Sequence, residues 1–313
     1  MSISMPAAGV GGAGHAAIPR GRSAGHQARA ASGFLALSMA GFLVFTILPI
    51  VGSLVMAFFD WPVFGDRTFT GIANFRTLFT TDPVFRRVLG NTVLFVVLYL
   101  PLNIVVSMAL ALWISPRIRG RGAYRVLFFL PAVTPMVANA IVWQLILTPR
   151  GVIDSLWQSV TGSHAPNFLG STNWALPCVV LMSIWQGFGY NMLVFSAALD
   201  AVPASLVEAA MLDGAGPIRR YFSVVLPLLS PAVVFAVTMT LITSFQVFIQ
   251  PYILTGGGPG VSTETLVLYL YRTGFEQFKM GEAAAIAWVL FAIIIVVTAA
   301  QFLLQKRWVH YDD

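Results

Sequence analysis

Long apolar stretches alternate with short polar segments along almost the whole chain. Six runs longer than 20 residues contain no Asp, Glu, Lys or Arg, and they cover residues 30–59, 88–116, 126–149, 155–199, 221–263 and 283–305. A helix needs about 20 mostly apolar residues to cross the hydrocarbon core of a bilayer. The two longest runs hold one such helix each, because polar, turn-rich segments occupy 155–172 and 255–263. The pattern therefore predicts six transmembrane helices.

The predicted fold class is an all-α polytopic membrane protein. Its spans are placed at 33–59, 88–115, 124–147, 174–197, 228–252 and 284–306. Prolines fall within or at the ends of these spans at positions 49, 101, 131, 135 and 231. Membrane helices tolerate proline where neighbouring groups bond the freed carbonyls. These prolines are compatible with a bundle that lines a cavity, although a structural kink is the simpler interpretation of any single one.

Composition agrees with a location in the bilayer. Hydrophobic residues make up 58% of the 313 positions and charged residues 10%, whereas soluble proteins carry about 25% charged residues. The single cysteine, Cys178, excludes a disulfide scaffold. The net charge of +6 is dilute, and in a membrane protein basic residues first serve to hold loops on the cytoplasmic side. No nucleic-acid partner is expected.

The distribution of Lys and Arg predicts the orientation. With the N-terminus inside, eleven basic residues lie in cytoplasmic segments and seven on the opposite side, so both termini are predicted to be cytoplasmic. Residues 1–32, rich in Gly, Ala, Ser, His and Arg, are typical of a disordered cytoplasmic tail. The membrane domain is assigned to 33–309 and a short C-terminal tail to 310–313. The apolar run after Arg29 is too long for a cleavable signal peptide.

The segment between the fourth and fifth spans carries consistent helix signals, and we call residues 201–227 the EAA loop. Pro203 suits a helix start, and Ser205 with Glu208 forms a capping-box pattern. Gly214 should end that helix, and Pro217 should open a second one. The segment is too short and too charged to enter the bilayer. Its small residues allow close approach of a partner, and an ordinary loop helix is the alternative.

A spaced signature occupies this loop: Glu208-Ala209-Ala210, three residues, Gly214, nine residues, Val224, one residue, Leu226-Pro227. It resembles the EAA signature of ABC importer permeases, with Val224 where isoleucine is commoner. Similarity to carbohydrate-type permeases, including those for oligosaccharides and for glycerol-3-phosphate or its diesters, extends over residues 33–309. A second Glu-Ala-Ala at 282–284 lacks the downstream spacing and is discounted.

The resemblance implies an ABC type I importer permease fold with a cytoplasmic coupling helix between spans four and five. Contact with the ATPase would involve Glu208, Ala209, Ala210, Asp213, Gly214 and Arg219. The implied partners are a second homologous permease, a dimer of ABC ATPase subunits, an extracytoplasmic substrate-binding protein and membrane lipid. The implied location is the cytoplasmic (inner) membrane of a bacterium, and the implied mechanism is alternating access.

Several catalytic patterns are absent from the sequence. There is no GxxxxGK[ST] phosphate loop, so no cofactor is expected in this chain and ATP with Mg²⁺ would be bound by the partner ATPase. The GGGPG at 256–260 is interpreted as a flexible outer loop. No Asp, Glu, Lys or Arg lies in the interior of a span, which disfavours ion-driven transport. A self-sufficient channel or carrier and a membrane-embedded transferase stay as alternatives; by residue type alone, the transferase could use Asp60, Asp66, His164 or Glu264.

A neutral polar solute would need amide or hydroxyl partners and a flat apolar face. The fourth and fifth spans supply such residues, and the resemblance favours Tyr190, Asn191, Phe245 and Gln246. Weaker candidates of the same kind are Trp143, Gln144, Trp185, Gln186, Phe188, Phe248, Gln250 and Tyr252. For each of them, interhelical hydrogen bonding or anchoring at the membrane interface is the alternative. The predicted cavity holds no basic residue, which favours a neutral sugar over a glycerophosphodiester.

Overall fold

The structure, a computed structural model, describes residues 35–114 and 118–305. The predicted tails at 1–32 and 310–313 lie outside these residues. The described chain is mostly helical and includes one short antiparallel hairpin, in which β1 (Phe59–Asp60) pairs with β2 (Thr68–Phe69). The all-α prediction did not include this hairpin.

Two compact units divide the chain between Ser53 and Leu54. The described part of the first unit lies in helix α1, Leu35–Met56, which contains a π-helical segment at Leu43–Ile47. This helix corresponds to the predicted first span, 33–59.

The remaining described helices belong to the second unit. They are α2 Ala73–Thr80, α3 Pro83–Trp113, α4 Arg121–Val133, α5 Met136–Leu147, α6 Val152–Thr161, α7 Ala175–Asp200, α8 Ala204–Leu212, α9 Pro217–Leu228, α10 Ser230–Phe245, α11 Ile249–Thr255, α12 Leu266–Tyr271 and α13 Met280–Gln305. Five helical stretches of the described chain are long and apolar enough to cross a membrane, or six if the bent pair α9 and α10 forms one span. The upper count agrees with the predicted number of spans.

Two of the predicted spans are interrupted. The third span breaks between α4 and α5, where Thr134 is extended (ψ 139°) and Pro135 follows. Proline lacks an N–H and disfavours helical geometry in the residue before it, which explains the break. The fifth span breaks at residues 246–248, between α10 and α11. The sequence pattern predicted both spans as continuous helices.

The centre of the second unit is the pair α3 and α7, which pack along each other. Phe85 and Phe95 of α3 and Met182 and Phe195 of α7 are fully buried. Helix α4 approaches α7 closely at Gly189, where a Cβ would lie 2.5 Å from the carbonyl oxygen of Phe128. Only glycine permits this contact. Small residues at such crossings are typical of membrane helices, whose association depends on close packing.

Candidate functional site

The first helix of the EAA loop, α8, ends as the sequence predicts. Gly214 has a left-handed backbone (φ 76°), which glycine adopts without a steric penalty. The N–H of Gly214 donates to the carbonyl of Met211, and the N–H of Ala215 donates to the carbonyl of Ala210, both at 3.0 Å. These two bonds form a Schellman motif. Pro217 then opens α9, as predicted.

The start of α8 differs from the prediction. The helix begins at Ala204, Pro203 is the residue that precedes it, and no side chain caps it. Ser205 therefore lies inside the first turn and not at the cap, so the predicted capping box with Glu208 does not form. The carboxylate of Glu208 is left exposed on the helix surface.

No other described part of the chain packs over the outer surface of the EAA loop, and most of its residues are exposed. Glu208, Asp213 and Arg219 are exposed, and none of them forms an ion pair with another described residue. Beside them Leu212 has 89% of its surface exposed, and Ile218 has 74%. Ala209 and Gly214 are exposed and Ala210 is half-buried. The loop thus presents small, apolar and charged groups together, as a docking surface requires.

The loop is attached to a third-span helix at its base. Asp200, the last residue of α7, accepts from Arg121 at 3.4 Å and from Arg125 at 3.0 Å. Both arginines belong to α4. This partly exposed ion-pair cluster fixes the end of α7 against the beginning of α4, immediately before the EAA loop starts.

A cavity of about 370 Å³ lies at the break between α10 and α11. Its lining residues are Phe95, Tyr99, Met136, Ser183, Thr243, Ser244, Gln246, Val247, Phe248, Ile249 and Gln250. None of these lining residues carries a charge. The rings of Phe95 and Tyr99 are stacked, with centroids 5.3 Å apart and planes 15° apart. The cavity therefore offers flat apolar faces and neutral polar groups.

The four predicted solute residues occupy different surroundings. Gln246 lines the cavity, is exposed, and its amide bonds no group of the described chain. Asn191 is buried, and its Nδ2 donates to Asn103 Oδ1 at 2.7 Å and to Thr240 Oγ1 at 2.9 Å. Phe245 is buried in the main hydrophobic cluster, while Tyr190 is about half exposed. Of these four residues, only Gln246 is among the residues that line the cavity.

Two of the weaker candidates, Gln144 and Gln186, form hydrogen bonds to neighbouring helices. Gln186 Nε2 donates to the carbonyls of Pro131 at 2.9 Å and Thr134 at 3.2 Å, and its Oε1 accepts from Asn139. Gln144 Nε2 donates to the carbonyl of Ile253 at 2.8 Å. For Gln144 and Gln186, interhelical hydrogen bonding is the interpretation that fits.

Sequence reasoning missed the contribution of the second span to the cavity. Phe95 and Tyr99 come from α3, and Ser183 comes from α7. The only sequence signal for the first two is their spacing of one helical turn. An aromatic pair at that spacing is also what a buried core face would show.

The α11–α12 loop comprises residues 256–265. Its Gly-rich part was predicted to be flexible, but the loop is packed against other elements. Thr263 and Thr265 are completely buried. The side chain of Arg272 donates to Glu264 Oε1 at 2.9 Å and to the carbonyl of Gly256. Asn91 of α3 donates to the carbonyl of Glu264 at 3.0 Å. These bonds hold the loop in one conformation against α3.

Asp82 joins two of the helices near this loop. Its Oδ1 caps α3 by accepting from the N–H groups of Val84 and Phe85. Its Oδ2 accepts from the hydroxyl of Tyr269 in α12. Burial and the neighbouring carboxylate raise the pKa of Tyr269 above its ordinary value, so the hydroxyl remains a donor.

The acids and histidine considered for an enzyme do not form one site. Glu264 is 3% exposed and is paired with Arg272, while His164 is hydrogen-bonded to Asp154. Asp60 and Asp66 belong to the hairpin segment. Among the described residues, no cluster of three or more His, Cys, Asp or Glu is placed to hold a metal ion.

Comparison with known proteins identifies the family. The sequence profile described as "Binding-protein-dependent transport system inner membrane component" matches residues 107–310. YesP of Bacillus subtilis (strain 168), a probable ABC transporter permease protein, is 34% identical over 305 residues, which are 96% of this chain and 98% of the relative. UgpA of Yersinia enterocolitica, an sn-glycerol-3-phosphate transport system permease protein, is 39% identical over 249 residues, which are 78% of this chain and 82% of the relative.

A solved structure shares the fold. It is the crystal structure of a bacterial ABC transporter involved in the import of the acidic polysaccharide alginate, and one of its chains matches with a TM-score of 0.80 at 23% identity. The match covers 91% of this chain and 98% of that chain. Because the relatives are transport permeases, this chain is a translocation subunit and not an enzyme. It belongs to the family of inner membrane permease components of binding-protein-dependent ABC transport systems.

Proposed function

We propose that this permease imports a neutral polyhydroxylated solute, an oligosaccharide or a related polyol, by alternating access. The observation that carries the proposal is the pair Gln246 and Gln250 in the cavity at the break of the fifth span. Neither amide bonds another described group, so both are available to sugar hydroxyls. The stacked rings of Phe95 and Tyr99 provide a face for a sugar ring.

The driving energy would come from outside this polypeptide, through the EAA loop. Glu208, Ala209, Ala210, Asp213, Gly214 and Arg219 would contact a cytoplasmic ATPase that binds ATP and Mg²⁺. Five of these six residues are exposed, and the three charged ones form no ion pair with another described residue, which supports this assignment. The excess of Lys and Arg on one side supports a cytoplasmic location for both termini and for this loop.

The proposed complex contains a second homologous permease, two ATPase subunits and an extracytoplasmic binding protein that delivers the solute. A further structure of the alginate transporter, with a chain matching at a TM-score of 0.78, is in complex with a periplasmic protein that carries an alginate pentasaccharide. That precedent supports delivery of an oligosaccharide by a binding protein.

A second candidate solute is glycerol-3-phosphate or a glycerophosphodiester. The identity of 39% to a glycerol-3-phosphate permease favours it. The uncharged cavity lining disfavours it, because a buried phosphate without a cationic partner has a high desolvation cost.

The test is uptake into vesicles that contain the whole complex, with a neutral oligosaccharide and a glycerophosphodiester as competing solutes. We expect transport of the oligosaccharide and a decrease of about tenfold for Gln246→Ala, the size of effect that a lost hydrogen bond produces. Gln158→Ala on the exposed face of α6 is the matched control. Transport of the phosphodiester alone would contradict the preferred solute class.

A further inference from the structure

At the break in the fifth span, a proline deprives a buried backbone carbonyl of its helical partner. In a continuous helix the carbonyl of Val247 would accept from the N–H of residue 251, which is Pro251 and has none. Val247 is only 5% exposed, so water does not replace the missing donor. A buried carbonyl without a partner is costly, and the structure must supply one.

The α11–α12 loop supplies that partner. The hydroxyl of Thr265 donates to the carbonyl of Val247 at 2.8 Å. Thr265 is 18 residues further along the chain and is completely buried. The bond thus connects the loop to the backbone of the break, at the residue between Gln246 and Phe248, both of which line the cavity.

Thr265 is itself held from both sides by α3. The N–H of Leu266 donates to Thr92 Oγ1 at 2.9 Å, and Asn91 Nδ2 donates to the carbonyl of Glu264 at 3.0 Å. The residues before and after Thr265 are therefore fixed to the second span. A continuous chain of hydrogen bonds runs from α3 through the loop to the break.

We infer that Thr265 is a positioning residue for the solute cavity, whose hydroxyl fixes the Val247 carbonyl and so sets the direction in which Gln246 and Phe248 face. The inference rests on the proposed function in taking this cavity as the solute site. A movement of the loop relative to α3 would then change the shape of the cavity through this one bond.

The experiment uses Gln246→Cys in a Cys178→Ala background, within the assembled complex, so that the introduced thiol is a reporter of the cavity. The rate at which this reporter thiol reacts with a small water-soluble thiol reagent is measured with Thr265→Val and with Thr265→Ser. We expect Thr265→Val to change this rate by about tenfold, the size of effect of one lost hydrogen bond to a buried acceptor. Thr265→Ser keeps the hydroxyl and should restore the original rate.

Two controls separate positioning from general loosening. Thr273→Val removes an equally buried hydroxyl that bonds only the carbonyl of Tyr269 in its own helical turn, and it should leave the rate of the reporter thiol unchanged. The native Cys178 is buried in α7 and should stay protected in Thr265→Val without the other substitutions. If Thr265→Val leaves the reporter thiol unchanged, exposes Cys178 as well, or prevents accumulation in the membrane, the inference is wrong.

The labelling result does not depend on the solute. If the complex transports no neutral oligosaccharide but the reporter thiol responds to Thr265→Val, the proposed solute class is wrong and the structural role of Thr265 remains. If transport occurs and the reporter thiol does not respond, the solute class stands and the inference about Thr265 is overturned.

Discussion

At the residue scale, polar side chains from one element replace backbone donors that proline removes in another. Pro135 leaves the carbonyl of Pro131 without its helical partner, and the amides of Gln186 and Asn139 bond that carbonyl. The carbonyl of Val247 is bonded in the same manner by Thr265. Membrane proteins need such replacements because the bilayer offers no water to the freed groups.

The first prediction concerns Gln186, which is 6% exposed and forms three hydrogen bonds around the break between α4 and α5. Gln186→Leu has a similar volume and removes all three bonds. We expect the free energy of unfolding, measured by titration with a denaturing detergent, to fall by about 2 kcal/mol, because buried polar groups lose their partner. Gln158→Leu, which removes an exposed amide, should change it little. If both substitutions lowered the free energy of unfolding equally, the hydrogen bonds of Gln186 across the break would not stabilise the fold.

Residue identity alone could not separate solute contacts from structural bridges. A glutamine amide that bonds a sugar hydroxyl and one that bonds a freed carbonyl are the same group in the sequence. Gln186 and Gln246 both follow an aromatic residue in a predicted span, yet Gln186 bonds the third span and Gln246 faces the cavity. Only the packing of the helices distinguishes them.

At the element scale, local signals predicted helix ends better than helix continuity. Gly214 and Pro217 determine their own turns through backbone geometry, so they could be recognised directly. The capping-box pattern predicted the start of α8 two residues late, because Ser205 can serve as a cap or as an ordinary first-turn residue. Pro251 is a local sign that the carbonyl of Val247 lacks its helical donor, but Thr265, which replaces that donor, is distant in sequence, so no local pattern could predict the replacement.

The prediction at this scale concerns the EAA loop as a docking element. Glu208→Lys reverses an exposed charge that pairs with no other described residue, so the fold of this chain should be unaffected. We expect ATP-dependent uptake to fall by about tenfold or more, since like charges at an interface are strongly unfavourable. Copurification with the ATPase and normal accumulation in the membrane are measured alongside.

The matched control for that substitution is Asp66→Lys, the same charge reversal at an exposed residue near the β-hairpin. It should leave ATPase binding intact. Normal uptake with Glu208→Lys, at normal accumulation, would show that α8 is not the coupling element.

At the scale of the whole molecule, hydropathy was sufficient for the number of spans but not for their geometry. Apolar runs predict that a segment enters the bilayer, and four of the six predicted spans have boundaries within about five residues of the helices observed. The other two are displaced: the third was predicted at 124–147 and the candidate span is Met136–Thr161, and the fifth was predicted at 228–252 and the bent pair is Pro217–Leu228 with Ser230–Phe245. How α3 and α7 pack, and which second-span residues enter the cavity, depends on contacts between distant segments. The solute and the partner subunits are not part of this chain, so its sequence could predict their chemistry only in part.

The most direct test of the account compares complete and incomplete complexes. Vesicles are prepared with this chain alone, with both permeases, and with both permeases and the ATPase, and solute-loaded binding protein is added outside with ATP inside. The account predicts uptake only in the complete complex and only with ATP, because this chain has no phosphate loop and no Asp, Glu, Lys or Arg in the interior of a predicted span. Uptake by this chain alone would contradict it.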